Sequence, residues 1–208
     1  MTRWLGLALI AEGRSDDLFL PEVLRRSAED VCGAWVDVAA PFIVRAGTGP
    51  GGREDLIRAL EREDGAFAVV VFHQDGKGHP EGVRQSLAGF RERLHCSGRR
   101  EPLVPVIPVQ ETEAWALADG DALRAVLGVT WPDSHMGLPR RGRDLEADPD
   151  PKATLRGLVE RATSWDVNFL ARLGECVSLE RLRELPAFRC WEDDLAEAVS
   201  TLPGFTMR

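Results

Sequence analysis

The sequence has no apolar run near the roughly 20 residues that cross a bilayer, so no membrane-spanning helix is expected. Its four cysteines, Cys32, Cys96, Cys176 and Cys190, form no C-x-x-C pair. That excludes a zinc ribbon and a disulfide framework and leaves buried thiols as the expectation. Positive charge is not in excess: 26 Lys and Arg against 34 Asp and Glu give a net charge of -8. A nucleic-acid binder held by a global basic surface is therefore excluded. Local basic clusters remain at Arg91, Arg93, His95, Arg99 and Arg100, and at Arg140, Arg141 and Arg143. Such clusters read as a solvated helix end and a solvated loop, or as a phosphate-binding patch on an acidic protein. GTGPGG lacks the G-K-[ST] ending of a P-loop and the G-x-G-x-x-G spacing, so it reads as a flexible loop near a substrate. The N-terminal MTRWLGLALIAEGRSDD lacks a small-residue cleavage site and runs into acidic residues. A first strand, rather than a signal peptide, is expected there, and a cytoplasmic location with it.

What is present suits a folded domain. The 208 residues are 44% apolar and 29% charged, enough for one medium domain with a full core. Trp4 to Ile10 reads as a strand and Ser15 to Ala28 as a helix with Ser15 as N-cap. Trp35 to Val44 holds a second apolar run, and a helix follows near Glu54 to Glu63. Ala66 to Phe72 is the clearest strand. Glu81 to Leu94 reads as a helix, and Gln110 to Leu117 turns helical. Between them, Pro105 and Pro108 make Leu103 to Val109 an edge strand or a short one. This alternation predicts an α/β fold with a mostly parallel sheet of about four strands flanked by helices. The α/β domain spans 1-128, an Arg- and Pro-rich loop 129-151, and an all-helical extension 152-208, packed on the same domain.

The chemistry collects where the strands end. VVVFHQDGKGHP stops a valine run on His73 and Asp75, which share a side if the chain stays extended. Glu12 lies just past the first strand, with Asp16 at the opening of the next helix. Glu111 and Glu113 follow the fourth run; about 200° apart on a helix, only one of them would face the site. In open parallel sheets, functional groups gather beyond the carboxyl ends of the strands. Three of four successive junctions here deliver carboxylates, which would repel one another without a cation. Taken singly, Glu12 or Asp16 suits a helix N-terminus, Asp75-Gly76 a turn, and Lys77 a turn lysine. Together they point to Mg²⁺ or Mn²⁺, which favour hard oxygen ligands.

AEGRSDD resembles the E-G-x-x-[DE] motif of TOPRIM domains, shared by topoisomerases, bacterial primases and overcoming-lysogenisation-defect nucleases. VVVFHQDGKG resembles their strand ending in D-x-D. VPVIPVQETEAWALAD looks like a signature of prokaryotic TOPRIM-like proteins related to the RloB type, often encoded beside an ATPase in anti-phage defence islands. A Pro151-Lys152 helix start and LRELPAFRCWEDDL fit that family too. The resemblance matches Glu12, Asp16, Asp75 and Glu113 to motif acids, and it sets His73 where an aspartate is usual. Imidazole is a better ligand for Mn²⁺ than for Mg²⁺.

These readings imply a metal-dependent nuclease, the effector of an anti-phage system, with DNA or RNA as substrate and an ABC- or AAA-type ATPase as partner. Glu12, Asp75 and a third acid would hold the metal, His73 would move a proton, and Lys77 would reach a phosphate oxygen. Arg140, Arg141 and Arg143 would close over the backbone. A PD…D-x-K reading of Pro132-Asp133 and Asp150-Pro151-Lys152 would need strands where the sequence shows a loop and a helix start. The alternative function is a catalytically weakened binding or sensor subunit working through the ATPase. Trp165, Phe188, Trp191 and Phe205 would then anchor a partner rather than fill a core.

Overall fold

The structure is a computed structural model that describes residues 3–45, 52–63, 65–139, 141–162 and 168–205, the side chain of Arg143 excepted. Strands β1 (Arg3–Leu5) and β2 (Leu7–Ile10) lead into helix α1 (Arg14–Cys32), then β3 (Val36–Val38), β4 (Phe42–Val44) and α2 (Gly52–Arg62). β5 (Val69–His73), α3 (Pro80–Cys96) and β6 (Leu103–Val106) complete the α/β part. Helices follow: α4 (Glu113–Ala116), α5 (Gly120–Leu127), α6 (Asp133–Met136), a 3₁₀ turn Gly142–Ala147, α7 (Pro151–Arg161), α8 (Phe169–Cys176), α9 (Leu179–Leu182) and α10 (Pro186–Thr201).

The main sheet is wholly parallel, in the order β4-β2-β5-β6, and β1 and β3 form a second parallel pair. β6 is short and lies at the edge, where Pro105, opposite Phe72, removes no inner ladder bond. The two-residue period sorts the strand side chains between two cores. Leu7, Leu9, Val69, Val71, Val104 and Val106 share a cluster with Phe19 and Val23 of α1 and with Trp115, Leu158, Leu173 and Trp191. Ala8, Ile10, Val70, Phe72 and Leu103 face Ile57 and Leu60 of α2 and Leu87 and Phe90 of α3. With helices on both faces, the inner strands need apolar residues at every position, as the valine run has. His73 falls in the odd set, on the face that α1 covers.

The C-terminal helices share the first of these cores. α8 lies close on α1: a Cβ at Gly174 would sit 2.6 Å from the Phe19 carbonyl oxygen, so only glycine allows this approach. Arg26 Nη1 donates to the carbonyls of Gly174 (2.9 Å) and Val177 (2.8 Å), which the end of α8 leaves without helical partners. Trp191 Nε1 donates to Ser27 Oγ (3.1 Å), and the Ser27 hydroxyl donates to Glu192 (2.9 Å). Phe188, Trp191 and Phe205 are core residues, and Trp115 meets Phe188 edge-on with centroids 5.1 Å apart. Trp165 and the GTGPG segment lie outside the described residues.

Several expectations are corrected. The N-cap of α1 is Gly13, not Ser15, because Asp16 accepts from the Gly13 N–H at 3.0 Å and starts the helix earlier. Of the cysteines only Cys32 is buried; Cys96, Cys176 and Cys190 are exposed, and all four are free thiols. Three members of the 91–100 basic cluster are tied into the fold, while His95 and Arg100 are exposed. Arg91 donates to the Leu103 carbonyl (3.1 Å), Arg93 pairs with Glu54, and buried Arg99 pairs with Glu101 (2.6 Å). Segment 129–151 carries α6 and the 3₁₀ turn. Among the described residues no helix is long and apolar enough to cross a membrane.

Candidate functional site

The carboxyl ends of β2, β5 and β6 converge because β5 pairs in parallel register with both neighbours, Ile10 opposite Phe72 and His73 opposite Val106. Beyond Ile10 the chain delivers Glu12, and beyond His73 it delivers Asp75. The backbone N–H of Asp75 donates to Glu12 Oε2 at 3.3 Å, and Asp75 Oδ1 accepts from the Thr112 N–H at 3.1 Å. All three junctions are thus tied at Asp75. The turn after it presses against the loop after β6. Gly76, Lys77 and Gly78 N–H groups donate to the carbonyls of Pro108 (2.9 Å), Gln110 (3.0 Å) and Val109 (2.8 Å). A Cβ at Gly76 would lie 2.5 Å from the Pro108 carbonyl oxygen, so the turn requires glycine. Lys77 holds φ at 47°, an unusual backbone for a lysine, and its side chain is exposed.

His73 lies beneath the acids, 1% exposed. Its Nε2 is 2.7 Å from Thr112 Oγ1 and 3.4 Å from Asp75 Oδ1. Its Nδ1 faces Asp16 Oδ2 at 3.7 Å, beyond hydrogen-bond reach, and is a buried nitrogen without a hydrogen-bond partner. Asp16 reaches it because it shares the inward face of α1 with Phe19 and Leu20. Burial pushes the Asp16 carboxyl above the usual carboxylate range; His73 and the Thr112 hydroxyl oppose this, while the charges of Asp75 and Glu113 add to it.

Glu111 and Glu113 both belong to the cluster. α4 begins only at Glu113, so Glu111 precedes the helix and the angular argument for choosing one acid does not hold. Burial, then the charge of Glu113, raises the Glu111 pKa, and Glu111 Oε2 is buried without a hydrogen-bond partner. The cation beside these acids is Lys152, at 3.3 Å from Glu113 Oε1. The sequence marks this lysine as part of a helix start and as the lysine of the PD…D-x-K pattern, not as a partner of Glu113. The available signal was its place in the first turn of α7, where the helix dipole disfavours a cation. Thr112 was also missed, since nothing in its neighbours marks a buried hydroxyl.

Arg140 and the Arg143 side chain lie outside the described residues, and exposed Arg141 precedes the 3₁₀ turn, where its carbonyl accepts from the Asp144 N–H. Neither half of the PD…D-x-K pattern lies on a strand: Pro132 caps α6, and Asp150 caps α7 by accepting from the Ala153 N–H at 2.9 Å.

The donor set fits a hard divalent cation in kind: five carboxylates with one imidazole beneath them. Glu12, Asp16 and Asp75 each have one oxygen engaged by a backbone N–H, and Glu111 offers a buried oxygen with no partner. Among the described residues, no three His, Cys, Asp or Glu side chains already converge as metal ligands do. Compared with protein-family models, curated proteins and solved structures, the chain matches none.

Proposed function

We propose that the acid cluster is the active site of a divalent-metal-dependent phosphodiesterase acting on nucleic acid, of the TOPRIM type that the motifs resemble. The observation that carries this reading is the tying of three strand–helix junctions at Asp75, which draws Glu12 and the Thr112–Glu113 turn to one sheet end. Glu12, Asp75 and Glu113 would hold Mg²⁺ or Mn²⁺, with Asp16 and Glu111 beside them. When bound, the cation supplies a Lewis acid for the phosphodiester and lowers the pKa of a water molecule. The protein's own groups do the rest. His73, buried beneath the acids, turns its Nε2 toward Asp75 and the Thr112 hydroxyl and would move a proton there. Lys152 is placed to bind a phosphate oxygen in exchange for Glu113. A role as effector beside a defence ATPase belongs to the same proposal and rests on the motif resemblance alone.

The test incubates the protein with single- and double-stranded DNA and RNA in Mg²⁺, Mn²⁺ or EDTA. Cleavage of at least one substrate is expected, dependent on metal and absent in Asp75→Asn. Equal cleavage by that variant, or cleavage in EDTA, overturns the proposal. The Lys152–Glu113 ion pair favours a second reading, because it already offsets part of the acidic charge. A non-catalytic subunit working through an ATPase would fold with this cluster intact and cleave nothing.

A further inference from the structure

Beside the acids, between the first turns of α1, α7 and the start of α8, lies a cleft of about 540 Å³. Among the described residues, Glu113 and Lys152 line both the cleft and the cluster, so the two spaces adjoin. The floor is apolar, made by Leu18 of α1, Leu155 and Val159 of α7, and Phe169 of α8. Arg14, Lys152 and Arg156, all exposed, bring three cations to its edge in a chain whose net charge is -8.

Apolar floor, cationic edge and hydrolytic acids each select part of one ligand. The volume falls within the roughly 300–1,000 Å³ range of small-molecule sites. The cations complement phosphate, and the floor complements a nucleobase removed from water. A base within a duplex is stacked and paired, and it enters such a cleft only by leaving the helix. Unpaired strands present base and phosphate together, to a cationic groove with an apolar contact surface.

We propose that this cleft binds one unpaired nucleotide of a single-stranded polynucleotide, its base on the Leu18–Leu155–Phe169 floor and its phosphates at Arg14, Lys152 and Arg156. The neighbouring phosphodiester then lies at the acid cluster, so the proposal rests on the phosphodiesterase reading and names its substrate class.

The test is fluorescence anisotropy in EDTA, where no metal-dependent cleavage occurs. The probes are end-labelled oligodeoxyuridylate, oligouridylate and a duplex, each of about 12 nucleotides. Wild type should bind a single strand at least about tenfold more tightly than the duplex, and the tighter of the two single strands identifies the sugar. Arg14→Glu and Arg156→Glu, both at exposed positions, should each weaken single-strand binding roughly tenfold. Leu18→Gln should weaken it by a smaller factor. Arg62→Glu, on α2 across the sheet, controls for overall charge and should change little. Absent single-strand binding, equal duplex binding, or unchanged affinity in both arginine variants overturns the proposal, as does an equal loss in Arg62→Glu. The two readings fail separately. Metal-dependent cleavage lost in Asp75→Asn but untouched by the arginine variants removes only the cleft. Arginine-sensitive binding without any metal-dependent cleavage removes only the phosphodiesterase.

Discussion

Lys152 Nζ stands 3.3 Å from Glu113 Oε1, so a lysine in the first turn of α7 reaches the first acid of α4. Burial pulls the Lys152 pKa down, but Glu113, Glu111 and Asp75 outweigh it and leave the ammonium more basic than usual. Glu113, Glu111 and Asp75 all act on this lysine, and its removal should expose their mutual repulsion. With 48% of its side chain exposed, the pair itself is worth about 1 kcal/mol or less. Lys152→Met should lower the melting temperature in EDTA by at most about 2–4 °C. Added Mg²⁺ should restore more stability to this variant than to wild type. An equal metal response in both proteins would count against a shared charge cluster.

The Thr112 hydroxyl is the partner of His73 Nε2 in a fully buried pair. Thr112→Val keeps the shape and leaves the ring nitrogen without that partner, at a cost of about 1–3 kcal/mol. Thr112→Ser retains the hydroxyl and should lose less. Urea midpoints for the three proteins decide the matter, and a valine variant as stable as wild type would refute the role given to this bond.

Gly76→Ala places a methyl 2.5 Å from one backbone carbonyl oxygen and 2.6 Å from the next, those of Pro108 and Val109. Backbone cannot swing aside as a flexible side chain would. Destabilisation of about 2–4 kcal/mol is expected, with loss of the Asp75–Thr112 contact and of any metal response. Chemical denaturation measures the first, and a Mg²⁺ titration followed by melting measures the second.

Glu146 is buried away from the acid cluster and accepts from the Ala187 N–H at 3.0 Å. Burial raises its pKa above the ordinary 4.5, and that hydrogen bond and Arg189 offset only part of the rise. The folded state therefore binds this proton more readily than the unfolded chain. Stability gained below the raised pKa is lost as pH climbs through it. Glu146→Gln keeps an acceptor and cannot ionise, so it should be more stable than wild type at about pH 7.5, with the gap closing toward pH 4.5. A gap independent of pH would contradict this assignment.

The valine run, Pro105 of β6 and the alternation of strands with helices made the parallel sheet legible in the sequence. Glu12 and Asp75 were legible for the same reason, because parallel strands deliver their following residues to one edge. Where the reading failed, it failed on local competition. Asp16 bonds to the Gly13 amide and moves the helix start, which composition does not weigh. Glu111 joins the cluster because α4 starts at Glu113, three residues later than the helix expected from Gln110. Lys152 and the cleft arise from α7 and α8 docking beside α1, a long-range packing that no local pattern announces.

The most direct measurement is the melting temperature of wild type and Asp75→Asn in EDTA, Mg²⁺ and Mn²⁺. Asparagine keeps the oxygen that accepts from Thr112, so the variant should fold with its turn in place. A cation at about 100 times its Kd stabilises the native state by about 2.7 kcal/mol, roughly 5–10 °C for a chain of this size. A rise of that order in wild type, lost in Asp75→Asn, is the predicted result. No rise in wild type, or the same rise in both proteins, would contradict a divalent-metal site at Asp75.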